Sequence, residues 1–242
     1  MFNLRYSREI VLKEISEDGY EKLRNSSVCV VGLGSTGSPC ADLLVRAGIG
    51  SLRIIDGDSV DITNLHRQII FSEEDINEKK VFAAKKRLEK INSDCRISAI
   101  PDYLTEDNVS KLLSEADLVV DGTDNMESRM IINRYCVSTG KPWIFISSIG
   151  TVSQVKAIVP GKTSCLNCFV NPSDNIAMSC EETGVLASAP VIASSKAWTI
   201  AVKILTGKEV DGDLNFIDPW NGVDENIRIK RNPECTVCSD FL

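Results

Sequence analysis

One stretch restricts the fold more than any other: Ser27-Ser-Val-Cys-Val-Val-Gly-Leu-Gly-Ser-Thr-Gly37. An apolar, β-branched run from Val28 to Val31 stops at Gly32, Gly34 and Gly37, spaced G-x-G-x-x-G, and an amphipathic segment follows directly. A buried parallel strand that turns into a helix N-terminus aims free backbone N–H groups and the positive end of the helix dipole at one place, which makes an anion site. Glycine tolerates unusual φ/ψ there and lets a phosphate approach the backbone. The spacing indicates a nucleotide or dinucleotide and leaves the chemistry open.

The chain around it has 242 residues, enough for one α/β domain with a large core. Its 27 basic and 34 acidic residues give a net charge of −7, which argues against nucleic acid or an anionic membrane as the main partner. The first residues lack the apolar core of a signal peptide, and the longest apolar stretch, 185–205, is interrupted by Ser188, Pro190, Ser194, Ser195 and Lys196. It reads as a buried helix, and the location expected is cytoplasmic.

Helix signals cover residues 8–24, with Gly19 as a break, and about 37–47, with Pro39 in the first turn and Gly48 at the C-terminal cap. A strand over 51–56 leads into a polar connection, 58–72. Helices are expected over 76–91, 105–114 and 125–139, and strands over 95–100, 118–121, 143–149 and 152–159. After Pro160 come a Cys/Asn/Ser-rich loop, the apolar helix, two short strands near 214–218 and 226–230, and a cysteine-containing tail. The alternation predicts a single α/β domain over 1–242, a doubly wound, mostly parallel Rossmann-like sheet with a zinc-knuckle C-terminal extension. About 1–160 would bind nucleotide and about 161–242 would hold zinc and a protein partner.

Ligands of open α/β sheets bind beyond the carboxyl ends of the strands. Besides the glycine turn, three features reach that edge: Asp56 after the second strand, Asn64 to Gln68 in the following loop, and Asp121-Gly-Thr-Asp-Asn125 after the fourth strand. NAD binding accounts for Asp56 as a ribose ligand but gives Arg67, Lys80 and Asp124 no role. A triphosphate uses all three, with Arg67 and Lys80 on phosphates and Asp124 on Mg²⁺. Taken singly, Arg67 and Lys80 read as surface charges, Asp58 and Asp61 as solvated loop acids, and His66 as a loop residue; the weight lies in their shared location.

Nine cysteines in a chain without a visible secretory signal favour a reducing compartment. Four form two C-x-x-C pairs, Cys165/Cys168 and Cys235/Cys238, able to supply four thiolates to a closed structural zinc site. Independent or redox-active pairs are the alternative reading. Cys29, Cys40, Cys95 and Cys136 read as small hydrophobes. Cys180, in the polar loop 171–184, reads either as a sulfur-handling nucleophile or as an incidental loop cysteine; the adjacent Glu181 and Glu182 would raise its pKa.

In order, Arg5-Tyr-Ser-Arg8, Gly32-Leu-Gly-Ser-Thr-Gly37, Asp56-Gly-Asp58, Asn64-Leu-His-Arg67-Gln68, Lys80, Thr123-Asp-Asn125, both C-x-x-C pairs and Asn232-Pro-Glu-Cys235 resemble the ThiF/MoeB/HesA family of adenylyltransferases, relatives of the ubiquitin-activating enzymes. The resemblance covers essentially the whole chain. It implies a homodimer that binds ATP and Mg²⁺ and activates the C-terminal Gly-Gly carboxylate of a small ubiquitin-like sulfur carrier as an acyl-adenylate. It implies Asp56 on ribose, Asn64, Arg67 and Lys80 on phosphates, and Asp124 on magnesium. Gly32, Gly34, Gly37, Asp58 and Asn125 would complete the cofactor site. Arg8 would reach into the neighbouring subunit as an arginine finger, the four paired cysteines would hold Zn²⁺, and Cys180 matches the cysteine that joins the carrier in some members.

Ser35-Thr36 departs from the Gly-Leu frequent inside the family's glycine turn, so that Ser35 either donates to a phosphate or restricts its approach. With 242 residues the chain is expected to lack the rhodanese domain of some eukaryotic relatives and to rely on a separate sulfur donor such as a cysteine desulfurase or rhodanese. The rival expectations are a tRNA-modifying dehydratase of the same superfamily, an NAD-binding redox or sensor protein, and a silent partner subunit. The silent-subunit reading is disfavoured by the presence of Arg8, Asp56, Arg67, Lys80 and Asp124.

Overall fold

The computed structural model describes residues 4–170 and 183–239. Helices α1 (Ser7–Ile10) and α2 (Ser16–Arg24) lead into β1 (Ser27–Val31), α3 (Gly37–Arg46) and β2 (Ser51–Ile55). Then follow α4 (Lys80–Ile91), β3 (Arg96–Ile100), α5 (Val109–Leu113), β4 (Leu118–Asp121), α6 (Met126–Ser138), β5 (Trp143–Ile149) and β6 (Val152–Ile158). Helix α7 (Ser188–Leu205) and the hairpin β7 (Leu214–Asp218) and β8 (Val223–Ile227) complete the chain.

All eight strands share one sheet, in the order β3-β2-β1-β4-β5-β6-β7-β8. The first five run parallel and the last three pair antiparallel. The expected α/β, mostly parallel architecture is what the chain adopts. β1 is apolar at successive positions because helices cover both faces of the sheet. Val28 and Val30 join one core with Leu44, Leu88 and Ile144, whereas Cys29 and Val31 join the other with Leu113, Ile132, Trp143 and Phe145. Adjacent residues thus enter opposite cores, as the twofold alternation of a strand requires. Cys40 and Cys95 also lie in the first core and Cys136 in the second, all buried free thiols.

The apolar stretch near the C-terminus is a packed helix. Ala189, Ala193, Ala197 and Ala201 recur every four residues along α7, are fully buried, and lie on the face that meets α3, β5 and β6. Ser194 Oγ donates to the Thr36 carbonyl at 2.7 Å, tying α7 to the glycine turn. Among the described residues no helix is long and apolar enough to cross a membrane.

Several boundaries differ from expectation, each for a local reason. Gly19 does not break the first helical segment; it lies inside α2, where a Cβ would sit 3.3 Å from Thr206 Cγ2. The break falls at 11–15, ahead of Ser16 with φ 60°. The helix expected from residue 76 begins at Lys80, because Asn77 has φ 70° and Lys79 is extended and bridged to Ser59. Asn108 shortens the next helix: its side chain accepts from Thr105 N and donates to the Tyr103 carbonyl, closing the turn before α5. The last strand lies at 223–227 rather than 226–230, since Asp218 accepts from the backbone N–H groups of Trp220 and Asn221 and makes a tight hairpin. Helix α7 starts at Ser188, not 185, because Gly150 N bonds to the Gly184 carbonyl and Leu186 N to the Gly150 carbonyl.

Candidate active site

Strand order reverses between β1 and β4, and the carboxyl ends of these strands open the crevice where such sheets bind ligands. Gly32 closes β1 with φ 84°, a left-handed conformation that side chains disfavour. A Cβ on Gly37 would fall 1.9 Å from the Gly32 carbonyl oxygen, and one on Gly122 would fall 2.5 Å from the same atom. These three glycines therefore pack backbone on backbone. Gly34 is different: the nearest atom to its missing Cβ is 3.6 Å away, an ordinary contact. Among the described residues nothing crowds a side chain at 34, so the backbone there is left open. Ser35 beside it is half-buried.

Asp56, just past β2, braces this turn. One carboxylate oxygen accepts from Leu33 N at 2.7 Å and the other from Asp58 N at 2.8 Å. Burial pushes the Asp56 carboxyl up, against the pull of Lys80 and of those two N–H groups. Lys80, the first residue of α4, is 5% exposed, and its Nζ donates to Asp58 Oδ2 at 2.9 Å. A buried ammonium requires such a partner. Partial burial would raise the Asp58 carboxyl, yet the hydrogen bonds from Tyr103 and Lys80 and the charges of Lys80 and Lys79 outweigh it and hold it below the usual range. Asp56, Asp58 and Lys80 are thus brought together at the glycine turn, and Lys80 is not the surface charge it resembles when taken alone.

Two of the expected groups are engaged within their own loop. Arg67, half-buried, donates to the Thr63 carbonyl at 2.8 Å and contacts exposed His66 at 2.9 Å. Asn64 Oδ1 accepts from Asp61 N at 3.3 Å. Across the crevice, Asn125 caps α6 by accepting from Ser128 N at 2.9 Å. Asp124 is exposed, and its carboxylate has no hydrogen-bond or ion-pair partner among the described residues. Arg8 on α1 is exposed and unpaired in the same sense. Its helix is held down by Tyr6, whose buried hydroxyl accepts from Asn92 at 2.7 Å. Cys180 lies outside the described residues.

Sequence reasoning placed Asp121 at this edge without a role of its own and did not single out its partner Arg129 or Tyr103, so two supports went unread. Asp121 is fully buried at the end of β4, where burial raises its carboxyl against the opposing charge of Arg129, whose Nε lies 3.3 Å away. Asp121 also accepts from Thr123 N and Oγ1, and Arg129 donates to the Thr123 carbonyl, so the pair fixes the loop that presents Asp124. An acid closing an otherwise apolar strand was the available signal. The other support is Tyr103, which hydrogen-bonds Asp58 from the loop after β3.

On the antiparallel side, Cys165, Cys168, Cys235 and Cys238 converge. Their sulfurs all lie within 4.8 Å of one another, with 3.6 Å between Cys165 and Cys235 and 3.5 Å between Cys168 and Cys238. A tetrahedral ZnS₄ centre with Zn–S near 2.3 Å needs sulfurs about 3.8 Å apart, so this donor set fits Zn²⁺. Without a cation, burial pushes the Cys165 thiol up; a bound metal would reverse that. Asn232 N donates to Cys168 Sγ at 3.5 Å. Buried Lys156, in the adjacent β6, donates to the Gly212 carbonyl and lies over the Phe169 ring at 5.8 Å. Its ammonium, lowered to about 8 by burial, feels the opposing influence of Asp213 and of the thiols of Cys168 and Cys165, and would offset the negative charge of a tetrathiolate.

A 3-2-1-4-5 parallel core with a glycine turn at its switch point, flanked by an antiparallel edge that carries four clustered thiols, defines a Rossmann-like α/β protein with a closed metal-type cysteine cluster. The family model "ThiF family" matches residues 6–237, and the chain belongs to that family. It is similar to a sulfur carrier protein adenylyltransferase of Thermus thermophilus, 35% identical over 98% of this chain and 90% of the relative. It is likewise similar to the sulfur carrier protein ThiS adenylyltransferase of Escherichia coli, 34% identical over 97% of this chain and 94% of the relative. Among solved structures, Escherichia coli MccB with ATP superposes with a TM-score of 0.86 at 26% identity, covering 98% of this chain and 75% of that one.

Proposed function

We propose that the chain is an ATP-dependent adenylyltransferase that activates the C-terminal Gly-Gly carboxylate of a small ubiquitin-like sulfur carrier. One observation carries this reading: the open backbone at Gly34 lies beside Asp56 and the buried Lys80–Asp58 pair, in a chain matched almost end to end by sulfur carrier adenylyltransferases. The same likeness favours it over an NAD-binding redox protein and over a tRNA-modifying dehydratase.

In this reading a carrier carboxylate oxygen attacks the α-phosphorus of ATP. The bond to the bridging oxygen breaks, pyrophosphate leaves, and a mixed carboxylic–phosphoric anhydride forms. Such a step depends on in-line positioning and charge neutralisation, and it needs no strong general base. Asp56 holds ribose, while Asn64, Arg67 and Lys80 hold the phosphates. Gly32, Gly34, Ser35, Gly37, Asp58 and Asn125 shape the cradle. Asp124 is the ligand for Mg²⁺, which would neutralise phosphate charge. Arg8 extends into the site of a second copy in a homodimer, a role compatible with its exposed, unpaired position. Cys165, Cys168, Cys235 and Cys238 hold a structural Zn²⁺.

About 1–160 forms the nucleotide part and about 161–242 the zinc and carrier part. Cys180 takes part in the later sulfur chemistry, for which a cysteine desulfurase or rhodanese supplies sulfur. The test is to incubate the chain with ATP-Mg²⁺ and each Gly-Gly-ending carrier of the source organism and to look by mass spectrometry for a carrier bearing AMP. Adenylation of at least one carrier is expected; failure with all of them overturns the proposal.

A further inference from the structure

Tyr103 stands beside the candidate site with no role in the reading above. It is 62% exposed, unusual for a ring this firmly placed. The ring packs against Gly57, where a Cβ would meet it at 2.6 Å. Its hydroxyl donates to Asp58 Oδ1 at 2.6 Å, while Lys80 holds Asp58 Oδ2 at 2.9 Å. The Tyr103 backbone is itself fixed, its carbonyl accepting from Asn108 Nδ2 at 2.9 Å. A line of contacts therefore runs from the start of α5 through Asn108, Tyr103 and Asp58 to Lys80.

We infer that Tyr103 is a positioning residue for nucleotide binding, its hydroxyl sharing the Asp58 carboxylate so that Lys80 is held at the sheet edge yet can be surrendered to phosphate. The inference rests on the adenylyltransferase reading. Asp58 and an incoming phosphate compete for the same ammonium. A carboxylate that already accepts a hydroxyl donor spreads its charge over two partners and grips Lys80 less tightly. When Lys80 moves to phosphate, Asp58 is left with Tyr103 and water rather than bare. Without the hydroxyl, both carboxylate oxygens are free to take the ammonium, and the pair becomes self-satisfied.

The groups facing Asp58 are Lys80 from α4, Lys79 just before it, Asp56 at the end of β2 and Tyr103 after β3. Only Tyr103 changes in Tyr103→Phe, which keeps the ring on Gly57. Two readouts decide: the Asp58 carboxyl titration, followed by carbon-13 NMR in the free protein, and the Kd for ATP-Mg²⁺ by calorimetry. In Tyr103→Phe the loss of the hydroxyl bond outweighs the tighter Lys80 contact, so the titration moves up toward an ordinary carboxylate, and the Kd rises roughly tenfold or more, the effect of one charge-assisted hydrogen bond. A changed melting temperature with both readouts unmoved would make Tyr103 merely structural and overturn the inference. So would a Tyr103→Leu variant that alone weakens ATP, since the ring rather than the hydroxyl would then matter. Wild-type protein that binds no ATP, even with the expected Asp58 shift, would instead defeat the functional reading and remove the purpose of the positioning.

Discussion

The two candidate sites are built on opposite physical plans. At the β1/β4 switch point, rigidity comes from backbone packed on backbone: Gly32, Gly37 and Gly122 leave no room for even a methyl group. Its polar side chains are uneven, with Lys80 buried and paired and Asp124 exposed and, among the described residues, unpaired. At the antiparallel edge, four thiols from distant parts of the chain converge, and a tetrahedral metal held by all four would have no open position for a substrate. The first plan leaves polar groups open to solvent, as the proposed nucleotide site requires. The second satisfies everything once a cation is present, as a structural clasp must. Chemistry and stability should therefore be separable by mutation.

The largest effect expected is the loss of folding in Gly37→Ala, since its Cβ would collide with the Gly32 carbonyl. Circular dichroism and expression as a folded monomer or dimer would report it. Gly34→Ala, by contrast, should fold normally and lose affinity for ATP, which a binding titration separates from any change in melting temperature. Similar behaviour of the two variants would erase the distinction drawn between structural and ligand-facing glycines.

Asp124→Ala should come next, lowering carrier adenylation on the order of a thousandfold through the loss of metal-ion charge neutralisation while zinc content stays unchanged. Zinc chelation is expected to do the converse. It should lower the melting temperature and release the C-terminal segment to proteolysis, because metal binding to a cysteine cluster is folding free energy. The smallest effect expected is that of Asn125→Ala, which removes the cap on α6 and should cost about 1 kcal/mol by denaturant unfolding.

The contrast also explains what the sequence could reveal. The glycine turn was legible because a β-branched run and fixed glycine spacing are local, and the cysteine cluster because each C-x-x-C is local even though the pairs are distant. Gly122 was not recognised as the third member of the glycine contact, since nothing near it in the chain signals that β4 ends against β1. Arg129 reads as one more polar helix residue until α6 folds back over Asp121. Tyr103 reads as an exposed aromatic, because its partner Asp58 lies two elements earlier in the chain. The helix boundaries that shifted did so where backbone conformation and tertiary contacts, such as the Ser59–Lys79 bridge, overrode local helix signals. Local chemistry was readable, whereas the second layer that orients it depends on contacts made only after folding.

ATP–pyrophosphate exchange tests the central claim most directly, measured with the chain alone, with a Gly-Gly carrier of its source organism, and with that carrier lacking its last glycine. Exchange that appears only with the intact carrier is the predicted result. Equal exchange in all three conditions, or none with any intact carrier, would contradict the account.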